Sequence, residues 1–355
     1  MTWTILITLA LLWWLIARFI LSGPDLSRYD SYVGEIFEEH PEDVAATDQF
    51  LEVIRGVRRD SQKTKSLKHG FAIVRKFADE LSDDLQTDTV FSSVTANGVS
   101  CEWAVASGAD TARRIIFLHG GAFLFGSPKG HRRFSDQLSK LANAAVLSVD
   151  YRMLPEHSRM KSIIDSQHAY QWVIENGPDG PQNCDFLIVS GDSAGGNLAL
   201  MLSNWSKHGA TRRPDGVIGF SPSTDMTLSS PTIKRNRDTD KILGEGLGLL
   251  AKLPTALQMW VGLFTMRINP SNKLASPVFG DLGDLPPTLI HASSNEMLLG
   301  EGIRYTNKAV AAGSPVKLQI WKNQIHDWHL FNMHKGSAKE AWVEVKKFID
   351  GLQPV

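Results

Sequence analysis

Cysteine is nearly absent: Cys101 and Cys184 are the only two in 355 residues. They lack the C-x-x-C spacing of a zinc or redox pair, so neither a zinc site nor a disulfide framework organises the fold. An excess of charge of either sign is missing too. The 37 Lys and Arg against 38 Asp and Glu leave a formal net charge of -1, and such a chain has no long-range field to gather nucleic acid. No H-E-x-x-H pattern, internal repeat or low-complexity block occurs, which argues against a metalloprotease-type site and against a solenoid. What remains is 43% hydrophobic and 21% charged, an ordinary globular composition with enough apolar material for one large core or a core plus a subdomain.

Charge is also missing locally. Residues 3–17 carry none, and the apolar run continues past Arg18 through Phe19, Ile20 and Leu21. A spanning helix needs roughly 20 apolar residues, and an Arg near one end can snorkel. Residues 1–22 are therefore expected to be a single-pass membrane anchor. A cleaved signal peptide leading to secretion competes with this, but no Lys or Arg precedes the run and no A-x-A site follows it. Arg18 and Arg28 favour a cytoplasmic C-terminal side, and Gly23-Pro24 ends the helix.

Residues 23–88 are rich in charge and helical spacing, with no strand-like run, and are expected to be helices of a cap. From Phe91 onward, short apolar runs alternate with amphipathic stretches, the pattern of a mostly parallel sheet with helices on both faces. Eight strands are predicted at 91–95, 100–106, 114–118, 145–149, 186–190, 217–220, 288–292 and 316–321, with helices at 131–142, 163–175, 194–207, 299–312 and 338–352. The stretch 225–272 is too long for an ordinary loop and has helical spacing around Leu247, Leu250, Leu257 and Trp260, so it reads as a cap insertion within a catalytic region of 89–355.

The strand at 186–190 runs directly into Gly191-Asp192-Ser193-Ala194-Gly195 and then into a helix. In that context G-x-S-x-G is a nucleophile turn, with small neighbours allowing Ser193 to project above the sheet. A serine nucleophile needs a base, and His326 follows the eighth strand by a short loop. His329 and His334 read as surface or partly packed side chains. Between Leu285 and His326 the only carboxylates are Glu296 and Glu301. Glu296 stands just beyond the seventh strand and is the expected acid, with Glu301 or Asp327 as the alternatives. After the third strand, His119-Gly120-Gly121-Ala122-Phe123 offers backbone amides, and Gly120, Gly121 and Ala194 are the expected oxyanion donors. Phe123, Leu124 and Phe125, with Trp260 and Phe264 of the cap, are candidates for a substrate wall, though core packing explains them equally well.

These motifs, together with Asp150-Tyr151-Arg152-Met153-Leu154-Pro155-Glu156-His157, Ala275-Ser276-Pro277 and Leu285-Pro286-Pro287, resemble the hormone-sensitive-lipase-like family of α/β-hydrolases, which includes carboxylesterases and arylacetamide deacetylases. The resemblance spans roughly residue 114 to the C-terminus. It implies the α/β-hydrolase fold with a helical cap and a carboxylic-ester hydrolase working through an acyl-enzyme. No metal or organic cofactor is implied; the substrate is a small-molecule or lipid ester. An amidase, deacetylase or acyltransferase on the same triad is the alternative, and a ligand-binding receptor on this fold is a third reading. Two departures stand out: Ala122 where the family commonly has a third glycine, harmless if that residue makes no turn with positive φ, and Glu296-Met297-Leu298 where it usually has Asp-x-Leu. Asp150, Tyr151, Arg152 and Asp192 match family positions that organise loops around the site.

Overall fold

The computed structural model describes residues 2–64, 66–209, 211–330 and 333–353; Met1 of the expected anchor, residue 65 of the expected cap, and 210, 331–332 and 354–355 of the expected catalytic region lie outside them. The strands are β1 (Glu35–Phe37), β2 (Val90–Ala96), β3 (Val99–Val105), β4 (Asp110–Leu118), β5 (Ala144–Val149), β6 (Phe186–Asp192), β7 (Gly216–Phe220), β8 (Thr288–Ser293) and β9 (Val316–Trp321). They form one nine-stranded sheet in the order β1-β9-β8-β7-β6-β4-β5-β3-β2. Only the β2–β3 and β3–β5 pairings are antiparallel. A separate small hairpin pairs Asn176–Gly177 with Gly180–Pro181.

The sheet has one strand more than the eight expected. The helical expectation for residues 23–88 does not hold throughout: β1 lies parallel to β9 at the sheet edge, with Phe37 opposite Trp321. Its three residues are too few to display an alternating pattern, and the rings of Phe37 and Trp321, stacked at 4.1 Å, hold it there.

Every residue of β5, β6, β7 and β8 is buried, as a parallel sheet covered on both faces requires. Alternate residues of β4 feed two cores. Ile116 and Leu118 join one with Leu147, Val189 and Leu198, while Ile115 and Phe117 join the other with Phe134, Ile188 and Trp342. The covering helices are α4 (Arg132–Ala142), α5 (Arg159–Val173), α6 (Ser193–Trp205), α10 (Leu299–Ala311) and α11 (Gly336–Asp350), close to their expected positions.

The remaining helices are α1 (Thr2–Ile16), continued by a wider turn over Ala17–Leu21, α2 (Asp43–Lys63) and α3 (Leu67–Glu80), and, between β7 and β8, α7 (Thr232–Arg235), α8 (Leu247–Ala251) and α9 (Thr255–Met266). The insertion meets the N-terminal region at two places. Arg58 of α2 is paired with Glu245, and the turn after α1 packs on Met259 of α9.

Candidate active site

The carboxyl ends of β4, β6, β8 and β9 face one edge of the sheet, where open α/β folds place their chemistry. β6 ends at Asp192 and α6 begins at Ser193 with no residue between. Ser193 is thereby held at φ +50°, a left-handed conformation that a side chain adopts only where its surroundings dictate it. The turn closes because its neighbours lack side chains: a Cβ on Gly195 would sit 1.8 Å from the Leu118 carbonyl oxygen.

Ser193 Oγ lies 2.8 Å from His326 Nε2, and His326 Nδ1 lies 2.9 Å from Glu296 Oε2. The Glu296 carboxylate only accepts, so when the imidazole is neutral its ring proton belongs on Nδ1 and the Nε2 lone pair faces the serine hydroxyl. The Glu296 loop is held from both sides. Glu296 Oε1 accepts from the Ser293 N–H at 2.9 Å. Asn236 donates to the carbonyls of Ser294 and Glu296, and Asp240 accepts from the Met297 N–H. Both Asn236 and Asp240 lie in the stretch between β7 and β8, which therefore braces the loop that carries Glu296. Sequence reasoning did not single them out, and an Asn and an Asp in a polar stretch carry no signal that could have.

Of the two alternative acids, Glu301 points elsewhere. Its Oε2 accepts from the N–H groups of Thr224 and Asp225 and from Ser223 Oγ. Burial and the nearby Asp225 charge nevertheless push its carboxyl up to about 8, against the opposing pull of those donors. A carboxyl near 4.5 unfolded and near 8 folded binds more protons in the folded state across that interval, so stability falls as pH rises through it. Glu301→Gln is expected to flatten that fall, seen as urea midpoints that differ less between about pH 5 and about pH 8 than in wild type. Ester hydrolysis is expected to persist. An unchanged midpoint difference would mean that Glu301 is already ionised in the fold.

Asp327 is within reach of the histidine, on the opposite nitrogen from Glu296. Its Oδ2 is 3.1 Å from His326 Nε2, its backbone is left-handed at φ +56°, and its buried Oδ1 has no hydrogen-bond partner among the described residues. Burial raises the Asp327 carboxyl, opposed by the adjacent imidazole. Burial works to lower the basicity of His326, but the Asp327 charge and hydrogen bond, with Glu296 behind, outweigh it and raise the imidazole well above its ordinary value.

The expected oxyanion donors do not all stand free. Gly120 N–H donates to Asp192 Oδ1 at 2.9 Å, and a Cβ on Gly120 would lie 2.1 Å from Asp192 Oδ2. This amide is engaged in tying the loop to the turn before Ser193, which corrects its assignment as a free donor. The loop is braced further by Tyr151, whose hydroxyl donates to the His119 carbonyl at 2.6 Å while its ring stacks on the imidazole. Gly121 and Ala122 follow in a tight turn at φ +108° and +55°. The condition under which Ala122 would be harmless is therefore not met, and its left-handed backbone is strained by about 1 kcal/mol or more relative to glycine. Among the described residues no acceptor pairs with the N–H of Gly121 or Ala122. The Ala194 N–H belongs to the first turn of α6, where helical N–H groups have no intrahelical partner.

The substrate-wall candidates separate. Phe123 is 5% exposed and sits under the Arg159 guanidinium at 3.7 Å within the core. It is a packing residue, and the equally weighted core explanation applies. Leu124 and Phe125 are half-buried. Trp260 stacks on Trp13 of α1, and Phe264, 71% exposed, stacks on Trp260. His329 is likewise corrected: it is fully buried against His291, with Nε2 2.9 Å from the His291 Nδ1. The aromatic rings of Phe220, Trp328 and Trp342 around it make room for an imidazole in the core. His334 is exposed as expected.

Sequence reasoning also missed Arg159. Fully buried, it donates to Asn197 Oδ1, and Asn197 in turn donates to the carbonyls of Ser223 and Ala275. This network anchors the first turns of α6 behind the nucleophile.

Residues 115–330 match the sequence model of a family with the α/β-hydrolase fold. An esterase of Acinetobacter venetianus is 32% identical over 244 residues, 69% of this chain and 77% of that protein. An acetyl-hydrolase of Streptomyces hygroscopicus is 32% identical over 243 residues, 67% of this chain and 75% of its own. The solved structure of an esterase/lipase from an uncultured bacterium superposes with a TM-score of 0.72 at 29% identity, covering 88% of this chain and 98% of that one. An esterase from the bacterial hormone-sensitive lipase family superposes with a TM-score of 0.70 at 26% identity, covering 84% and 96%. With a matched family model over more than half its length and this sheet beneath the turn at Ser193, the chain belongs to the hormone-sensitive-lipase-like family of α/β-hydrolases.

Proposed function

We propose that the protein hydrolyses carboxylic esters through an acyl-enzyme, with Ser193 as nucleophile, His326 as base and Glu296 as the acid that orients it. The observation that carries this reading is the unbroken relay from Ser193 Oγ through both ring nitrogens of His326 to Glu296. In the first half-reaction Ser193 attacks the ester carbonyl while His326 Nε2 takes its proton, and the imidazolium then delivers that proton to the departing alcohol. In the second half water replaces the serine hydroxyl, and the same proton path runs with the acyl-serine as substrate.

The negative charge that develops on the carbonyl oxygen is assigned to the amides of Gly121, Ala122 and Ala194. Gly120, with its N–H on Asp192, positions the other two in the loop. The dipole of α6 adds positive potential at the same point. Such preorganised donors contribute about 10²–10³ each in rate in related chemistry.

The N-terminal apolar helix is assigned to a membrane and is taken to be retained in the working enzyme. Supporting this, Ala17 and Leu21 are 1% and 3% exposed against the cap, and Asn269 and Ser271 donate to the Ile20 carbonyl. Cleavage after this segment would strip α9 of that cover.

A fluorophosphonate probe tests the enzyme reading directly, since it bonds only to an activated serine hydroxyl. Wild type is expected to be labelled stoichiometrically and Ser193→Ala not at all. An unlabelled wild-type protein, or labelling that survives in Ser193→Ala, overturns the assignment.

A further inference from the structure

The apolar helix Trp3–Leu21 is long enough to cross a membrane by composition, at 19 residues with a mean hydropathy of 2.2. Its second half, however, is not free to be surrounded by lipid alone. From Trp13 onward it lies along α9 of the cap: Trp13 stacks on Trp260 at 5.9 Å, the Trp260 indole N–H donates to the Trp13 carbonyl, and Ile16, Ala17 and Leu21 pack on Met259, Trp260 and Leu263. Of the candidate span, Trp3 to Leu12 lie beyond this contact, about 15 Å of helix at 1.5 Å per residue. The hydrocarbon core of a bilayer is about 30 Å thick, so that free length reaches through about one leaflet. A full span would pull α9 down to the midplane.

α9 itself has the composition of an interfacial helix. Its twelve residues, TALQMWVGLFTM, contain no charge. Leu257 and Phe264 are exposed at i and i+7, with the half-buried Trp260 and Val261 between them on the same face. Phe264 stacks on Trp260 at 5.7 Å and so extends the Trp13–Trp260 pair into a ladder of three rings. Exposed cations flank the apolar stretch, Lys252 before it and Arg267 after it. The neighbouring α8 adds Leu249, 68% exposed. A charge-free helix with one apolar face, aromatic rings at its waist and cations at both ends suits the boundary between headgroups and acyl chains. Water does not.

We infer that the protein is monotopic: α1 enters one leaflet, and α9 lies in the plane of the same interface with Leu257, Trp260 and Phe264 turned into phospholipid, so that the cap is seated on the membrane. The inference rests on the membrane reading of the N-terminal helix but goes beyond it, because a simple tether would leave α9 in water and let the catalytic region hang free.

The experiment uses the full chain in phosphatidylcholine vesicles containing one-fifth or so anionic lipid, with single cysteines introduced at Leu6, Phe264 and Val343 and labelled with an environment-sensitive fluorophore. Native Cys101 and Cys184 are buried and do not compete under native conditions. Val343, 45% exposed on α11, serves as the control away from the cap. The label at 264 is expected to be quenched about twofold or more by lipid carrying a shallow nitroxide, and less by a deep one; the label at 6 is expected to show the reverse preference. The label at 343 is expected to respond to neither.

If position 6 is quenched and position 264 behaves like 343, the helix is a membrane anchor but the seated cap is wrong. If neither 6 nor 264 is quenched, the membrane reading fails as well. A label at 264 that is shielded before vesicles are added, at a protein concentration where the chain dimerises, makes the face a contact between copies and overturns the inference. So does a Trp3→Cys variant that reacts with an impermeant maleimide sealed inside the vesicles, because the helix then crosses both leaflets.

Discussion

Ser193→Ala is expected to lower kcat for a short-chain p-nitrophenyl ester by about 10⁴–10⁶-fold with little change in KM. The nucleophile is used only after substrate has bound, so its loss falls on the transition state alone. His326→Ala is expected to fall in the same range. The informative variant is the double one. If Ser193 and His326 act as one relay, as their 2.8 Å contact implies, removing both costs no more than removing either, whereas independent contributions would multiply. A residual rate above the uncatalysed one is expected in all three variants, because the amides of Gly121, Ala122 and Ala194 still polarise the carbonyl. Folding is not the reason for the loss: Ser193 already sits in a left-handed turn, and alanine there keeps the same backbone with the hydroxyl removed. Thermal midpoints of the variants are expected within a few degrees of wild type. A double variant that loses the product of the two single losses would break the relay.

Much of the fold and of the candidate site is legible in the sequence because the fold writes its chemistry at strand ends. A buried apolar strand followed at once by Gly191-Asp192-Ser193 leaves few options for the backbone, and the loop after β4 and the carboxylate after β8 fall at equivalent edges of the same sheet. The order of nucleophile, acid and base along the chain then limited the acid to Glu296, Glu301 or Asp327. Choosing Glu296 rests on its position just past a strand, and its Oε2 lies 2.9 Å from His326 Nδ1.

The errors share a cause. Gly120 looked like an oxyanion donor because a glycine amide is exposed by default. Its engagement by Asp192 is a contact between residues 72 apart in sequence, which local pattern cannot reveal. β1 is a strand only because β9 and Trp321 offer it an edge. His329 is buried because the rings of Phe134, Phe220 and Trp342 from other elements, with its neighbour Trp328, surround it. Nor does composition show that Trp260 stacks on Trp13 of the N-terminal helix, 247 residues away, and Phe264 on Trp260. Period and propensity report one segment against solvent; they carry no information on which distant segment arrives to cover it.

The second large effect separates the two carboxylates at His326. Glu296→Gln is expected to reduce kcat by about 10⁴-fold. The amide can donate to Nδ1 and so stabilise the tautomer with its proton on Nε2, which points the wrong nitrogen at the serine, and it no longer offsets the charge of the imidazolium. Asp327→Asn is expected to be milder, about tenfold or less in kcat, because Asp327 is not in the path from serine to acid. Its signature is in pH. Ionised Asp327, 3.1 Å from Nε2, favours protonated imidazole and raises the basicity of His326. The base must be neutral to accept the serine proton, so removing that charge lets His326 stay neutral to lower pH. The acid limb of kcat/KM is expected to shift downward in Asp327→Asn, toward the ordinary imidazole range. Two pH profiles on the same ester decide the matter. If Asp327→Asn is the severe variant and Glu296→Gln the mild one, the acid is Asp327. If the acid limb of Asp327→Asn coincides with wild type, its carboxyl is held neutral beside the histidine and exerts no charge on the reaction.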